Sequence, residues 1–310
     1  MSATPSISPA PTVLTRFNFF ARDIKISHSI FALPFALLAT FLALASTSTE
    51  KTTFPKPWTI VLITLCMVLA RTMAMSFNRW ADAKLDATNP RTQGRAIPSG
   101  RLSGSFMLSI AIGCAFGFIV ACAGFWILDG NAWPLILSPF VLTFLGGYSY
   151  TKRFTWLCHL YLGLALALSP IAAVIAIAPS YLSGSEPWLL AGMVMCWVAG
   201  FDIIYALQDV AADRESGTFS MPSRLGVEPA LWISRLLHII SLALLITLAS
   251  VSSQLDLRFN IGVGIVAALL ILEHALVWGS KTHHINMAFF TVNGMISVLL
   301  GALGIWDVLS

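Results

Sequence analysis

Nine stretches of this chain, each about 20 residues long, carry almost no charge, and they decide what it can fold into. They run at about 25–45, 57–80, 104–127, 133–150, 155–178, 187–210, 228–250, 259–279 and 285–306. A helix rises about 1.5 Å per residue, so each is long enough to cross the hydrocarbon of a bilayer. Inside lipid every backbone N–H and C=O must be satisfied within the protein, which selects helices for such runs. The expected fold class is therefore all-α, a multi-pass membrane protein with nine transmembrane helices. Pro34, Pro139 and Pro170 fall inside the expected spans, where neighbouring helices can satisfy the freed carbonyls.

Composition agrees. Hydrophobic residues make up 57% of the 310 and charged residues only 10%, against about 25% charged in an ordinary soluble domain. Lipid is thus the expected partner of much of the surface, and with a net charge of only +4 no nucleic-acid partner is expected. Cys66, Cys114, Cys122, Cys158 and Cys196 all sit in apolar runs without a C-x-x-C. They read as small buried hydrophobes, not as disulfides or zinc ligands. Residues 1–15, rich in Ser, Thr, Pro and Ala, read as a disordered tail before a transmembrane domain over 16–310. The tail lacks the order of a signal peptide.

Nine spans put the termini on opposite sides. Of the 18 basic residues, only Lys51, Lys56 and Arg258 fall in one set of connections; two lie within spans and all the others fall in the opposite set. Basic loops stay in the cytoplasm. The N-terminus and the loops after spans 2, 4, 6 and 8 are therefore expected on the cytoplasmic side of a cell inner membrane. The loops after spans 2 and 6 are the long, charged ones, and the chemistry is expected there.

Span 2 ends in Asn78-Arg79-Trp80-Ala81-Asp82-Ala83-Lys84-Leu85-Asp86, and span 6 in Tyr205-Ala206-Leu207-Gln208-Asp209-Val210-Ala211-Ala212-Asp213. Positions four apart share a helix face. Asn78, Asp82 and Asp86 form one stripe; Tyr205, Asp209 and Asp213 form another, with Asp202 one turn deeper. Carboxylates gathered at a membrane edge repel each other and resist desolvation. Mg²⁺ removes both problems, because it takes a few carboxylates together with water and phosphate oxygens. Two facing stripes can hold two or more Mg²⁺ with a diphosphate between them. Arg91 and Arg95 after span 2, and Tyr148 and Lys152 after span 4, are the candidates to complete its charge neutralisation.

Three further candidates are less specific. Arg71 lies within span 2, about three turns before Asp82 and on roughly the same face. It is a candidate for an acceptor carboxylate or for holding Asn78. Arg235 is near enough to a helix start to snorkel. His28, near the start of span 1, is a candidate to contact an acceptor or take its proton. His283 and His284 read as a solvated loop. A transporter of divalent cations or anions is the rival class, since acidic residues in membrane helices mark ion paths. Against it, the carboxylates cluster at one face of the membrane and not at its midplane.

The pattern Asn78 through Gly100, N-x-x-x-D-x-x-x-D followed by R-T-x-x-R-x-x-P-x-G, resembles the UbiA-type membrane prenyltransferase superfamily. So do Y-x-x-Q-D-x-x-x-D at Tyr205 through Asp213 and Y-x-x-x-K at Tyr148 through Lys152. The segments Lys25 through Phe35 and Phe154 through His159 look like bacterial 4-hydroxybenzoate polyprenyltransferases. The chain departs from many relatives at Arg79, where they carry Asp. Arg79 is therefore read as a contact to phosphate or lipid headgroups and not as a ligand. The resemblance implies nine helices ringed around a central cavity, with an apolar channel for the donor. It implies transfer of a polyprenyl group from a polyprenyl diphosphate to a small aromatic acceptor, with Mg²⁺ as cofactor. Asp82, Asp86, Asp209 and Asp213 would be its ligands. The acceptor stays open between 4-hydroxybenzoate, for ubiquinone, and a dihydroxynaphthoate, for menaquinone.

Overall fold

The computed structural model describes residues 13–24, 31–47, 54–278 and 285–310. His28, Lys281, His283 and His284 lie outside the described residues. The described chain is helical throughout: α1 Val13–Asp23, α2 Leu33–Thr47, α3 Pro57–Ala81, α4 Ala83–Thr88, α5 Gly104–Asp129, α6 Trp133–Thr151, α7 Cys158–Ile177 and α8 Glu186–Ala206. It continues with α9 Val210–Ser216, α10 Met221–Leu225, α11 Val227–Val251, α12 Leu257–Leu276, α13 Ile285–Met287 and α14 Asn293–Val308. A π-helical turn, Ala288–Val292, leads into α14.

Seven of these are long and apolar enough to cross a membrane, by length and composition. The expected first and fourth spans correspond to α2, a shorter apolar helix of 15 residues, and to α6, of 19 residues. Two sequence expectations need correction. Helix α1 already begins at Val13, inside the stretch read as a tail. Pro34 is the second residue of α2 and not an interior one; there its missing N–H has no intrahelical partner to lose. Pro139 and Pro170 are interior, as expected. All five cysteines are free.

Helix α8 is the centre of the packing. Its buried residues include Leu190, Val194, Trp197, Ile203 and Ile204, and it lies against α7 and α11. With lipid as solvent, helices associate by close packing and interhelical hydrogen bonds, which favours small residues where backbones approach. Gly163 of α7 is such a place. A Cβ there would collide with the carbonyl oxygen of Met195 in α8.

Several polar groups inside the bundle are bonded to one another. Glu273 Oε1 accepts from Asn293 Nδ2 at 2.8 Å, and Asn293 Oδ1 accepts from Trp197 Nε1 at 2.8 Å. His238 lies beside them, 3.0 Å from His274 through its Nδ1. This network ties α8, α11, α12 and α14 together in register.

Candidate active site

Where α3 leaves the apolar zone it does not stop cleanly. Asp82 takes φ −93° and ψ 3°, breaking the helix for one residue. The spacing nonetheless carries through, because Asp82 N donates to Asn78 O at 2.9 Å and Asp86 N to Asp82 O at 2.8 Å. Asn78, Asp82 and Asp86 therefore form the stripe the sequence predicts, and Asn78 Nδ2 donates to Asp82 Oδ2 at 2.9 Å. Asp82 and Asp86 are buried. Lys152 Nζ stands 2.7 Å from Asp82 Oδ2, and Arg153 Nη2 stands 3.3 Å from its other oxygen. Arg95 Nη1 stands 2.7 Å from Asp86 Oδ1. The other oxygen of Asp86 is buried with no hydrogen-bond partner.

The second stripe passes through a 3₁₀ turn, Leu207–Asp209, before α9 begins. That turn swings Asp209 towards the loop after α4. Asn89 Nδ2 donates to Asp209 Oδ1 at 2.9 Å, and Arg91 Nε donates to the same oxygen at 2.7 Å. Arg91 Nη2 pairs with Asp209 Oδ2, completing a two-pronged contact, and Arg91 Nη1 donates to the Tyr205 hydroxyl at 3.1 Å. Burial weighs against the Arg91 charge. Hydrogen bonds and attraction from Asp209 outweigh it and hold the guanidinium above its ordinary pKa. Asp213 accepts from Thr218 Oγ1 at 2.9 Å and from Ser220 Oγ at 2.6 Å.

The two helix ends thus meet. A polar cavity of about 70 Å³ lies between them, lined by Asp86, Asp209, Asp213, Arg91, Arg95 and Lys152 among others. Asp82 joins it through Lys152. Beside it, an apolar cavity of about 350 Å³ runs through the bundle, lined mostly by Ala, Leu, Ile and Phe side chains, with Arg71, Asn78, Tyr148 and Ser169 among the polar groups. Asn78 touches both regions, because it lines the apolar cavity and bonds Asp82.

Oxygen donors dominate the polar cavity: three carboxylates plus Thr and Ser hydroxyls, with no sulfur or imidazole. That donor set, with a buried unsatisfied oxygen on Asp86, fits a hard cation such as Mg²⁺. Among the described residues no three acidic, His or Cys side chains form a ready-made metal cage. Each carboxylate is instead held by a cation, an amide or a hydroxyl.

The structure gives two arginines their partners. Arg79 is buried and paired with Asp23, 3.2 Å from its Oδ2, and donates to the Asp23 carbonyl and to Asn78 Oδ1. It is an internal tie and not a contact to headgroups, because α1 folds over it. Arg235 lies over the rings of Trp232 and Trp278. Sequence reasoning missed Asp23, Asn89 and Arg153 as participants. Only Arg153, next to Lys152, carried a signal, being basic and in the loop after a span. It also left the Asp202 partner unnamed: His159 Nδ1 lies 2.7 Å from Asp202 Oδ2.

Comparison with known proteins follows the same lines. A model of the UbiA prenyltransferase family matches residues 32–295. The chain is 31% identical to 4-hydroxybenzoate octaprenyltransferase of Aliivibrio fischeri over 249 residues, covering 78% of this chain and 83% of that one. The apo structure of a UbiA homologue from Aeropyrum pernix superposes with a TM-score of 0.80 at 29% identity, over 91% of this chain and 98% of the other. A UbiA homologue from Archaeoglobus fulgidus, solved with DMAPP and Mg²⁺ bound, shares the fold with a TM-score of 0.69 at 18% identity, over 94% and 98%.

Proposed function

This chain belongs to the UbiA prenyltransferase family, and from that premise we propose that it moves a polyprenyl group from a polyprenyl diphosphate to 4-hydroxybenzoate or a closely similar aromatic acid in quinone biosynthesis. The observation that carries this reading is the meeting of two acidic helix ends at one polar cavity, with Arg91, Arg95 and Lys152 in its wall. The relative from Aliivibrio fischeri, named for 4-hydroxybenzoate, favours that acceptor over a dihydroxynaphthoate.

In this reading Asp82, Asp86, Asp209 and Asp213 hold Mg²⁺. When bound, the metal neutralises charge that builds on the leaving diphosphate. Arg91, Arg95 and Lys152 bind the diphosphate oxygens as the donor's C–O bond ionises to an allylic cation. Asn78 and Tyr205 orient Asp82 and Arg91 through the hydrogen bonds described above. The apolar cavity takes the prenyl chain and keeps water from the cation, which water would quench to an alcohol. Arg71, at the polar end of that cavity with Tyr148, receives the acceptor's carboxylate. The ring then attacks the cation ortho to its hydroxyl.

Orientation and span number belong to the same proposal. Helices α2 and α6 cross the membrane with the seven longer ones, giving nine spans around the cavity. The basic loops then face the cytoplasm of a bacterial inner membrane. Transfer of labelled prenyl diphosphate to 4-hydroxybenzoate or to a dihydroxynaphthoate tests the acceptor. Near-normal turnover in magnesium by Asp82→Ala or Asp209→Ala sinks the proposal.

A further inference from the structure

We infer that Phe289, on the π-helical turn before α14, is a positioning residue for diphosphate binding: it fixes the ring of Tyr205, whose hydroxyl sets the angle at which Arg91 meets its ligand. The inference rests on the reading of the polar cavity given above. A guanidinium carries five N–H groups in one plane. Nε and Nη2 of Arg91 each direct one at Asp209, and Nη1 directs one at the Tyr205 hydroxyl, 3.1 Å away. Two remain, one on each terminal nitrogen, at the wall of the polar cavity. The bonds to Asp209 hold one edge of the group. The bond to Tyr205 pins the third nitrogen, and so decides where the remaining N–H groups point. Arg91 also lies over the Tyr205 ring, its Cζ 5.2 Å from the centroid.

The ring of Tyr205 is itself held from the far side. Trp197, Phe201 and Tyr205 follow one another at intervals of four along α8 and form one stripe. The π-helical turn and the start of α14 pack against that stripe. Asn293 Oδ1 accepts from Trp197 Nε1 at 2.8 Å, and its Nδ2 donates to Glu273 Oε1 at 2.8 Å. The end of the turn is thus tied on two sides, in buried surroundings where an unmade hydrogen bond is costly. Four residues earlier, Phe289 meets the next two rings of the stripe, with centroids 5.1 Å from Phe201 and 4.2 Å from Tyr205.

The irregular turn has a use here. In an α-helix successive side chains point about 100° apart. A π-helix bonds each residue to the fifth one along and winds more residues into a turn, which brings neighbouring side chains closer in direction. Phe289 and Phe290 accordingly both reach Tyr205, Phe290 at 6.3 Å. Phe289 lines neither cavity. Any effect it has on a ligand therefore runs through Tyr205 and Arg91, which makes it a positioning residue and not a contact.

The experiment titrates the full chain in nanodiscs with inorganic pyrophosphate and Mg²⁺ by calorimetry, and measures donor and acceptor KM on the same variants. Phe289→Ala is expected to weaken pyrophosphate binding and to raise the donor KM, each by about fivefold, with the acceptor KM unchanged. Tyr205→Phe keeps the ring and removes the hydroxyl, and should show a similar loss. The double variant decides. Residues that act through one contact are not additive, so Phe289→Ala should cost less than about twofold more in the Tyr205→Phe background. Phe289→Leu, which keeps bulk without a ring, enters the cycle if Phe289→Ala does not fold. Unchanged pyrophosphate binding in the Phe289 variant, losses that multiply in the double variant, or an acceptor KM that rises as much as the donor's overturn the inference. A wild type that binds no pyrophosphate overturns the reading of the polar cavity as well, an outcome distinct from a wild type that binds it while the variants match.

Discussion

Arg91 and Asp209, 118 residues apart in the chain, are joined by a two-pronged guanidinium–carboxylate contact. It binds the loop after the first acidic stripe directly to the end of the second. A planar guanidinium matches a carboxylate at two points, and lysine cannot reproduce that geometry. Arg91→Lys is therefore expected to behave as a loss, lowering kcat/KM by about 10² in a prenyl-transfer assay. A lysine variant with wild-type kinetics would remove Arg91 from the diphosphate site.

Chelation by EDTA is expected to abolish turnover, and Mg²⁺ to restore it. Asp86, with one oxygen paired to Arg95 and the other unsatisfied, and Asp213, held by Thr218 and Ser220, are two of the three proposed ligands that line the cavity. Asp86→Asn and Asp213→Asn should each raise the Mg²⁺ concentration for half-maximal rate by at least about tenfold, since even outer-shell partners of a metal are worth 10–100-fold in affinity. An unchanged Mg²⁺ dependence in both would exclude them as ligands.

Arg79 and Asp23 form an ion pair whose side chains are only 6% and 7% exposed. Removing one partner strands the other charge in a desolvated place, at a cost of about 3–5 kcal/mol. Arg79→Ala should lower the unfolding temperature in detergent markedly. A phosphate-binding arginine would instead raise the donor KM and leave stability alone, so the two measurements separate the roles.

Gly163→Ala should destabilise the bundle by about 1–3 kcal/mol, the usual cost of overpacking. The obstacle is the Met195 carbonyl, part of a backbone that cannot swing aside as a side chain can. A variant that melts with the wild type would show that α7 and α8 are farther apart than described.

Ala172 lines the apolar cavity. Ala172→Phe narrows it and should lower kcat/KM for long prenyl diphosphates more than for short ones, read by competing donors of two lengths. Equal loss on both would mean that the prenyl chain does not run past this residue.

Much of the molecule was legible from residues alone. Apolar runs near the thickness of a bilayer announced the helices, because lipid leaves backbone groups no other way to be satisfied. The four-residue spacing of Asn78, Asp82 and Asp86 announced a shared face, because helix geometry is local. The same reasoning failed where partners are distant. Nothing near Arg79 in sequence foretold Asp23, and nothing near Asp209 foretold Asn89, because these contacts exist only once α1 and the loop after α4 are folded across the bundle.

What the sequence determined by itself is the long apolar helices and which acidic residues stand at the ends of two of them, since hydropathy and periodicity are properties of short segments in a given solvent. Tertiary structure alone decided which charge meets which. It turned Arg79 inward, set Arg91 on Asp209, and placed Asp202 against His159. A single hydrogen bond is satisfied by any correctly placed partner, and placement depends on how the helices pack.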